Sequence, residues 1–424
     1  MRRLHGTTII QWIRTSIKEK RLTVVSLADK LEFISVRATV FRQGIISLVL
    51  ASLGSLVGGI ILGTFSEVLE LFPGLMIMVP AAIGMRGNIF ASLGSRLSTS
   101  LHMGEVSMLS RSPVITGNIS ASLFLTITVS FFLGALSRIT AHVFGFASIS
   151  LIDLVVVSVI GGLISSLLIL VFTLLVAVQS FLRGWDPDNV TAPLITSVGD
   201  LITLPCLFVA TRFLGARYVL FVVIVAACVV SGVIMVQRRP PLPTRIVKDS
   251  MGILAISACL STGSGLIINS RIDQFLIMSG LLTLVPPFLE GGGALGGILS
   301  SRLSTALHLG MIESTWKPSS DAVEDFSIIA LLGITLFPAI GVLAFGASVL
   351  LGLDFPPLYL VVQACLYAGL LIAVVVCFLS YYAAVASTRF GLDPDSVVIP
   401  MISGFMDFLG TNCLLFALIA LGIA

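Results

Sequence analysis

The sequence predicts an all-α integral membrane protein: about eleven transmembrane helices, built as two five-helix repeats of the same orientation joined by a linker helix. Three observations carry that prediction. Of 424 residues, 57% are hydrophobic and only 11% charged, against about 25% charged in an ordinary soluble domain. The apolar stretches are long enough to cross a bilayer, for which about 20 residues suffice. The second half of the chain also repeats the first at an offset of 206 or 207 residues. A formal net charge of +3 argues neither for a nucleic-acid partner nor for an acidic tail.

Residues 1–43 carry nine Lys or Arg and a modest apolar pattern (Ile9, Ile10, Trp12, Ile13, Ile17). They read either as a short amphipathic helix on the cytoplasmic membrane surface or as a plain basic leader. Polar and basic residues fill this stretch before any apolar run, so no cleavable signal pattern is expected. Apolar segments follow at about 44–66, 71–95, 113–137, 154–182, 189–211 and 218–236, then 250–270, 274–300, 326–351, 356–384 and 396–423. With the amino terminus inside, nineteen Lys/Arg fall on the inner side, four outside (Arg138, Arg212, Arg217, Arg271) and Arg86 within a span. The positive-inside rule therefore predicts a multi-pass cell-membrane protein with a cytoplasmic amino terminus and an extracytoplasmic carboxyl terminus. The six cysteines lie in apolar segments without C-x-x-C spacing, which predicts free thiols over disulfides or a thiolate metal site.

The repeat sets the domain division. RLSTSLH at 96–102 recurs as RLSTALH at 302–308, and the same register pairs Pro80 with Pro286 and Gly87 with Gly293. DPDNVTAPLITSVGD from residue 186 recurs as DPDSVVIPMISGFMD from residue 393, pairing Asp200 with Asp407. The predicted units are the basic segment 1–43, a first repeat at 44–216, a linker helix and loop at 217–249, and a second repeat at 250–424. Five spans are an odd number, so direct fusion would invert the second copy; the span at 218–236 restores its orientation. Repeats of like orientation imply a pseudo-twofold axis along the membrane normal, with a shared site between them. Such an internal pseudo-dimer is compatible with a monomer.

Asp200 and Asp407 are the leading site candidates. An acid near mid-span is costly by about 2.5–3.5 kcal/mol even on lenient insertion scales, and marks function by default. Both copies keep a hydroxyl four residues earlier, Thr196 and Ser403, on the same helical face. Paired carboxylates and hydroxyls suit hard cations such as Mg2+ or Ca2+, and Mg2+ tends to keep several of its waters. The absence of Cys or His nearby disfavours zinc and copper.

The paired second spans form another constellation, VPAAIGMRGN at 79–88 and VPPFLEGGGA at 285–294. Proline and clustered glycine predict either broken helices lining a cavity or close helix packing. Arg86 and Glu290, charges within these spans, are candidates to pair across the repeats. Asp186, Asp188, Asp393 and Asp395 read either as helix caps or as an inner ion vestibule. Asp153 reads as an ordinary solvated acid near the outer face.

On these segments, 80–102 and 186–204 with their copies at 286–308 and 393–411, the chain resembles the MgtE-type magnesium transporters, most of all their solute carrier family 41 branch. The resemblance covers essentially residues 44–424. It implies Mg2+ as the principal transported ion, a central path between the halves, and a hydrated ion held by Asp200 and Asp407. It also implies that Gly87 and Asn88 line that path and that Arg86 stands where this branch tends to carry a basic residue. The second copy departs from the pattern, with Gly293-Ala294 in place of Gly-Asn; the site is then asymmetric, with Glu290 supplying charge. No stretch resembles the amino-terminal cytoplasmic region of bacterial MgtE proteins, so regulation is expected from the spans or the basic leader.

These observations together predict a transporter or channel for divalent cations, principally Mg2+, with the lipid bilayer and the ion as its partners. No cofactor, no nucleic acid and no catalytic residues are expected. The alternatives are a cation exchanger coupled to Na+ or H+ and, remotely, an intramembrane enzyme. A close aspartyl dyad is the arrangement that would favour the enzyme.

Overall fold

The computed structural model describes residues 41, 44–45, 48–102, 112–183, 187–238, 241–308, 312–390 and 394–423. The chain divides into Met1–Ile46 and Ser47–Ala424. In the first unit only residues 41, 44 and 45 are described, all helical, so the reading of the basic segment lies outside the described residues. The second unit is built from helices, with no strand among the described residues: α1 (Leu48–Thr64), α2 (Ser66–Leu71), α3 (Leu75–His102), α4 (Pro113–Val143), α5 (Leu151–Arg183), α6 (Pro187–Thr211), α7 (Arg217–Arg238), α8 (Pro241–Asn269), α9 (Ile272–Ile277), α10 (Leu281–His308), α11 (Ser320–Leu350), α12 (Leu358–Arg389) and α13 (Pro394–Ala420). Among the described residues, nine stretches are long and apolar enough to cross a membrane. One of them, Ile195–Gln237, runs through α6, a 3-10 turn at Arg212–Ala216 and α7. The apolar helix α1 lies outside that count and is described over a stretch shorter than the usual span.

The repeat is visible in how helices start and stop. Ser112 caps α4, its hydroxyl accepting from the Val114 amide, and Ser319, 207 residues on, caps α11 from the Ala322 amide. Each helix then ends on a glycine in the left-handed region, Gly145 at φ 72° and Gly352 at φ 68°. Beyond each glycine the chain closes back on the helix, Phe146 N–H to Ala141 C=O and Leu353 N–H to Ser348 C=O, both at 2.9 Å, a pairing that a residue with a Cβ forms only under strain. The arginines of the two RLST motifs anchor the same helix pairs. Arg96 donates from Nε to Asn118 at 2.8 Å, and Arg302 donates from Nε to Asp325 at 2.9 Å.

Two expectations are corrected. The apolar segments at 71–95 and 274–300 each lose their first residues to a short helix or turn, since α2 and α9 stop before Gly74 and Gly280. The second spans are also unbroken: α3 and α10 stay helical through Pro80 and through Pro286 and Pro287. The prolines sit in the second turn of their helices, and the chain around them is buried in protein, with Met76, Ile77 and Met78 at most 1% exposed. The carbonyls left without a donor by proline therefore face protein and not lipid.

Packing follows the repeat, with one exchange of partners. In the first copy α3 packs on α4, α5 and α6; in the second α10 packs on α11, α12 and α13. The first helix of each copy lies against the second helix of the other: α8 packs on α3, and α1 reaches α10. A Cβ on Gly59 of α1 would stand 2.1 Å from the Thr283 carbonyl oxygen, and one on Gly265 of α8 would stand 2.2 Å from that of Ile77. Glycine alone permits such approach, as at other membrane helix crossings. The core around α3 accordingly mixes Phe90 and Leu125 of one copy with Leu254 and Ala258 of the other. Helix α7 packs chiefly on α5 and turns Tyr218, Val222, Val229 and Val236 outward, as a lipid-facing helix does. Asp153 is not the solvated acid expected: it is buried and pairs with Arg217 at 3.4 Å.

Candidate cation site

A cavity of about 50 Å³ lies between the repeats, walled by α1, α3 and α6 of the first copy and by α10 and α13 of the second. Its polar lining is Asn88, Thr196, Asp200, Glu290, Ser403 and Asp407. Helical periodicity explains the set: Pro80, Gly84 and Asn88 recur at i+4 on α3, while Thr196 with Asp200 and Ser403 with Asp407 do so on the helices that carry the acids. At about 10–15 Å³ per water, there is room for several water molecules.

The two acids are held in the same way. Ser55 of α1 donates its hydroxyl to Asp200 Oδ2 at 2.5 Å, and Ser261 of α8 donates to Asp407 Oδ2 at 2.5 Å. Ser55 and Ser261 are themselves one register apart, 206 residues, and both are fully buried behind the cavity wall. The serines were not among the sequence candidates. Their signal was available, because extending the repeat register upstream matches Ser55 with Ser261 and Gly59 with Gly265.

The third carboxyl, Glu290, occupies the position that Gly84 holds in the first copy. Gly84 faces the site of the other repeat, since a Cβ there would stand 3.3 Å from Asp407 Oδ2. The second copy thus places a carboxyl where the first leaves space. Asn88 lines the cavity with an amide nitrogen that is buried and has no hydrogen-bond partner, a group free to engage water. Among the described residues, no three His, Cys, Asp or Glu side chains close on one point as direct ligands of a bare ion.

The other sequence candidates lie elsewhere. Arg86 does not line the cavity, and no ion pair with Glu290 forms among the described residues. Two residues from both Gly84 and Asn88, it sits on the opposite face of α3 and enters the bundle of its own repeat. There its Nη2 donates to Ser130 Oγ at 2.8 Å, over Gly162, while Nε and Nη1 have no partner. In the second copy Phe337 stands at the position of Ser130 and lies over Gly369, the counterpart of Gly162. An aromatic ring fills one bundle where an arginine fills the other. Gly87 and Gly293 do not line the cavity either; they let α3 and α10 approach the helices of the acids, a Cβ on Gly87 standing 3.0 Å from Thr196 and one on Gly293 standing 3.9 Å from Ser403. Asp186 and Asp393 lie outside the described residues, as do the side chains of Asp188 and Asp395.

Comparison with known proteins agrees with this doubled arrangement. The profile of the MgtE family, described as a divalent cation transporter, matches twice, at residues 79–210 and 285–417. Solute carrier family 41 member 3 of Rattus norvegicus is 27% identical over 406 residues, covering 88% of this chain and 85% of the rat protein. Solute carrier family 41 member 2 of Gallus gallus is 28% identical over 426 residues, covering 90% and 69% of the two chains. The human member 2 is 27% identical over 411 residues, covering 88% and 69%. No solved structure matches significantly.

Proposed function

Because this chain belongs to the MgtE family of divalent cation transporters, we propose that Mg2+ is its principal substrate and crosses between the repeats, past Asp200 and Asp407. The observation that carries this reading is the cavity between the copies, walled by both acids with equivalent serine supports. Two carboxylates offset the charge of one divalent ion, and the remaining wall includes the hydroxyls of Thr196 and Ser403, oxygen ligands of the kind that hard cations take. A full octahedral shell of six waters needs about 60–90 Å³ at the rate given above. An ion here therefore keeps several waters and takes its other contacts from the wall.

The same reading has the repeats related by an axis along the membrane normal, with the amino terminus in the cytoplasm and the carboxyl terminus outside. Its test is flux into proteoliposomes with a panel of divalent ions, run beside Asp200→Ala. Mg2+ should enter in preference to Mn2+ and Co2+, and the variant should not transport. Equal uptake of all three ions would remove Mg2+ as the principal substrate.

One observation favours a second reading, exchange of the divalent ion against Na+ or H+. With the divalent ion gone, Asp200, Asp407 and Glu290 when ionised are three like charges in one cavity of low dielectric, where they are costly. Protons or Na+ taken up in place of the departing ion relieve that cost, which is the alternation an exchanger needs. Flux measured with and without an opposing Na+ or pH gradient decides between the two, because a pure channel conducts Mg2+ equally in both conditions.

A further inference from the structure

The geometry points to Ser55 and Ser261 as positioning residues that select Mg2+ over Ca2+ by keeping each site carboxylate monodentate; this rests on the Mg2+ reading above. Each serine hydroxyl donates to Oδ2 of its aspartate at 2.5 Å from behind the cavity wall. Neither serine lines the cavity, and both are fully buried, so neither hydroxyl is itself a ligand of an ion in the cavity. One lone pair of each Oδ2 is thereby taken, which makes Oδ1 the oxygen more open to the ion or its waters.

The two ions differ in what they ask of a carboxylate. Mg2+ demands near-ideal octahedral geometry and gives up its waters reluctantly, so a single oxygen per carboxylate suits it. Ca2+ takes six to eight oxygens in flexible geometry and commonly uses both oxygens of one carboxylate. A carboxylate with one oxygen held by a hydroxyl serves the first ion and denies the second its preferred grip.

The serines sit on the helices that exchange partners between the repeats. Gly59 sets α1 against Thr283 of α10, one turn from Ser55, and Gly265 sets α8 against Ile77 of α3, one turn from Ser261. The hydroxyl that holds each acid is thus carried by a helix seated on the backbone of the other copy, one turn from that contact. The doubling of the arrangement at a 206-residue offset argues against a chance contact in either copy.

The test is competition in proteoliposomes holding the full chain: Mg2+ uptake measured against rising external Ca2+ for the wild type, S55A/S261A and S55T/S261T. Loss of a hydrogen bond to a charged group shifts an equilibrium by about tenfold. The double alanine variant should therefore be half-inhibited at a Ca2+ concentration about tenfold lower than the wild type. The threonine variant, which keeps the hydroxyl, should return toward the wild-type value. If the double alanine variant does not fold, S55A and S261A made singly must each show part of the shift. An unchanged Ca2+ sensitivity in folded alanine variants overturns the proposal, and so does a sensitivity that threonine fails to restore. D200N/D407N run in parallel separates the two readings: wild-type Mg2+ uptake by that variant defeats the site itself, whereas its loss together with unaltered Ca2+ sensitivity in the serine variants defeats only the role given to the serines.

Discussion

Arg86 shows how much a single side chain's direction matters in a membrane protein. Its guanidinium is fully buried with one hydrogen bond, to Ser130, and two nitrogens without partners. A buried charge held this poorly is weak evidence for stability, and the second repeat fills the same space with Phe337. Arg86→Met combined with Ser130→Ala is expected to retain Mg2+ uptake and to leave thermal stability in detergent unchanged or raised. A complete loss of uptake by a folded variant would return Arg86 to the ion path. The sequence showed the charge but not its direction, although the spacing held the clue. On a helix, Gly84 and Asn88 share a face and residue 86 points away from it. The acids were legible because an ionisable group within an apolar span is costly and conspicuous. The serines that hold them were not, since a serine in such a span is cheap and common, and each partner lies about 145 residues away along the chain.

At the scale of the helices, glycine was legible as a signal but its two uses were not separable from sequence. The glycines and prolines of α3 and α10 suggested broken helices, yet both helices run on through them. Whether a proline breaks a span depends on how near the helix start it falls and on what surrounds the freed carbonyl, and the second is a property of neighbours distant in sequence. The glycines that matter most for assembly lie earlier, on α1 and α8. Gly59→Ala and Gly265→Ala each force a Cβ onto a backbone carbonyl of the other repeat, at 2.1 and 2.2 Å. Overpacking of this kind costs about 1–3 kcal/mol or more, so both variants should melt earlier in detergent. Gly232→Ala and Gly346→Ala meet nothing within 4 Å and should not. Equal melting of all four variants would mean that the crossings are looser than described.

For the whole molecule, the offset of about 206 residues organises caps, arginine anchors, serine supports and acids alike, and this much the sequence displays. It does not display the exchange of first helices, because a repeat fixes what resembles what and not what touches what. The exchange predicts that the halves depend on each other. Residues 1–240 or 241–424 expressed alone should fail to transport Mg2+, since in each half the second span then lacks the first helix of the other half, which packs on it. Co-expression of the two should recover uptake. Transport by either half alone would contradict the shared site.

The most direct test of the account is Mg2+ uptake by D200N/D407N in proteoliposomes, with folding verified by thermal unfolding and size in detergent. Asparagine preserves shape and removes both negative charges, so a folded protein with uptake reduced to the level of empty liposomes is the predicted result. Uptake at the wild-type rate would contradict it, and the ion would then have to cross by a route that avoids both acids.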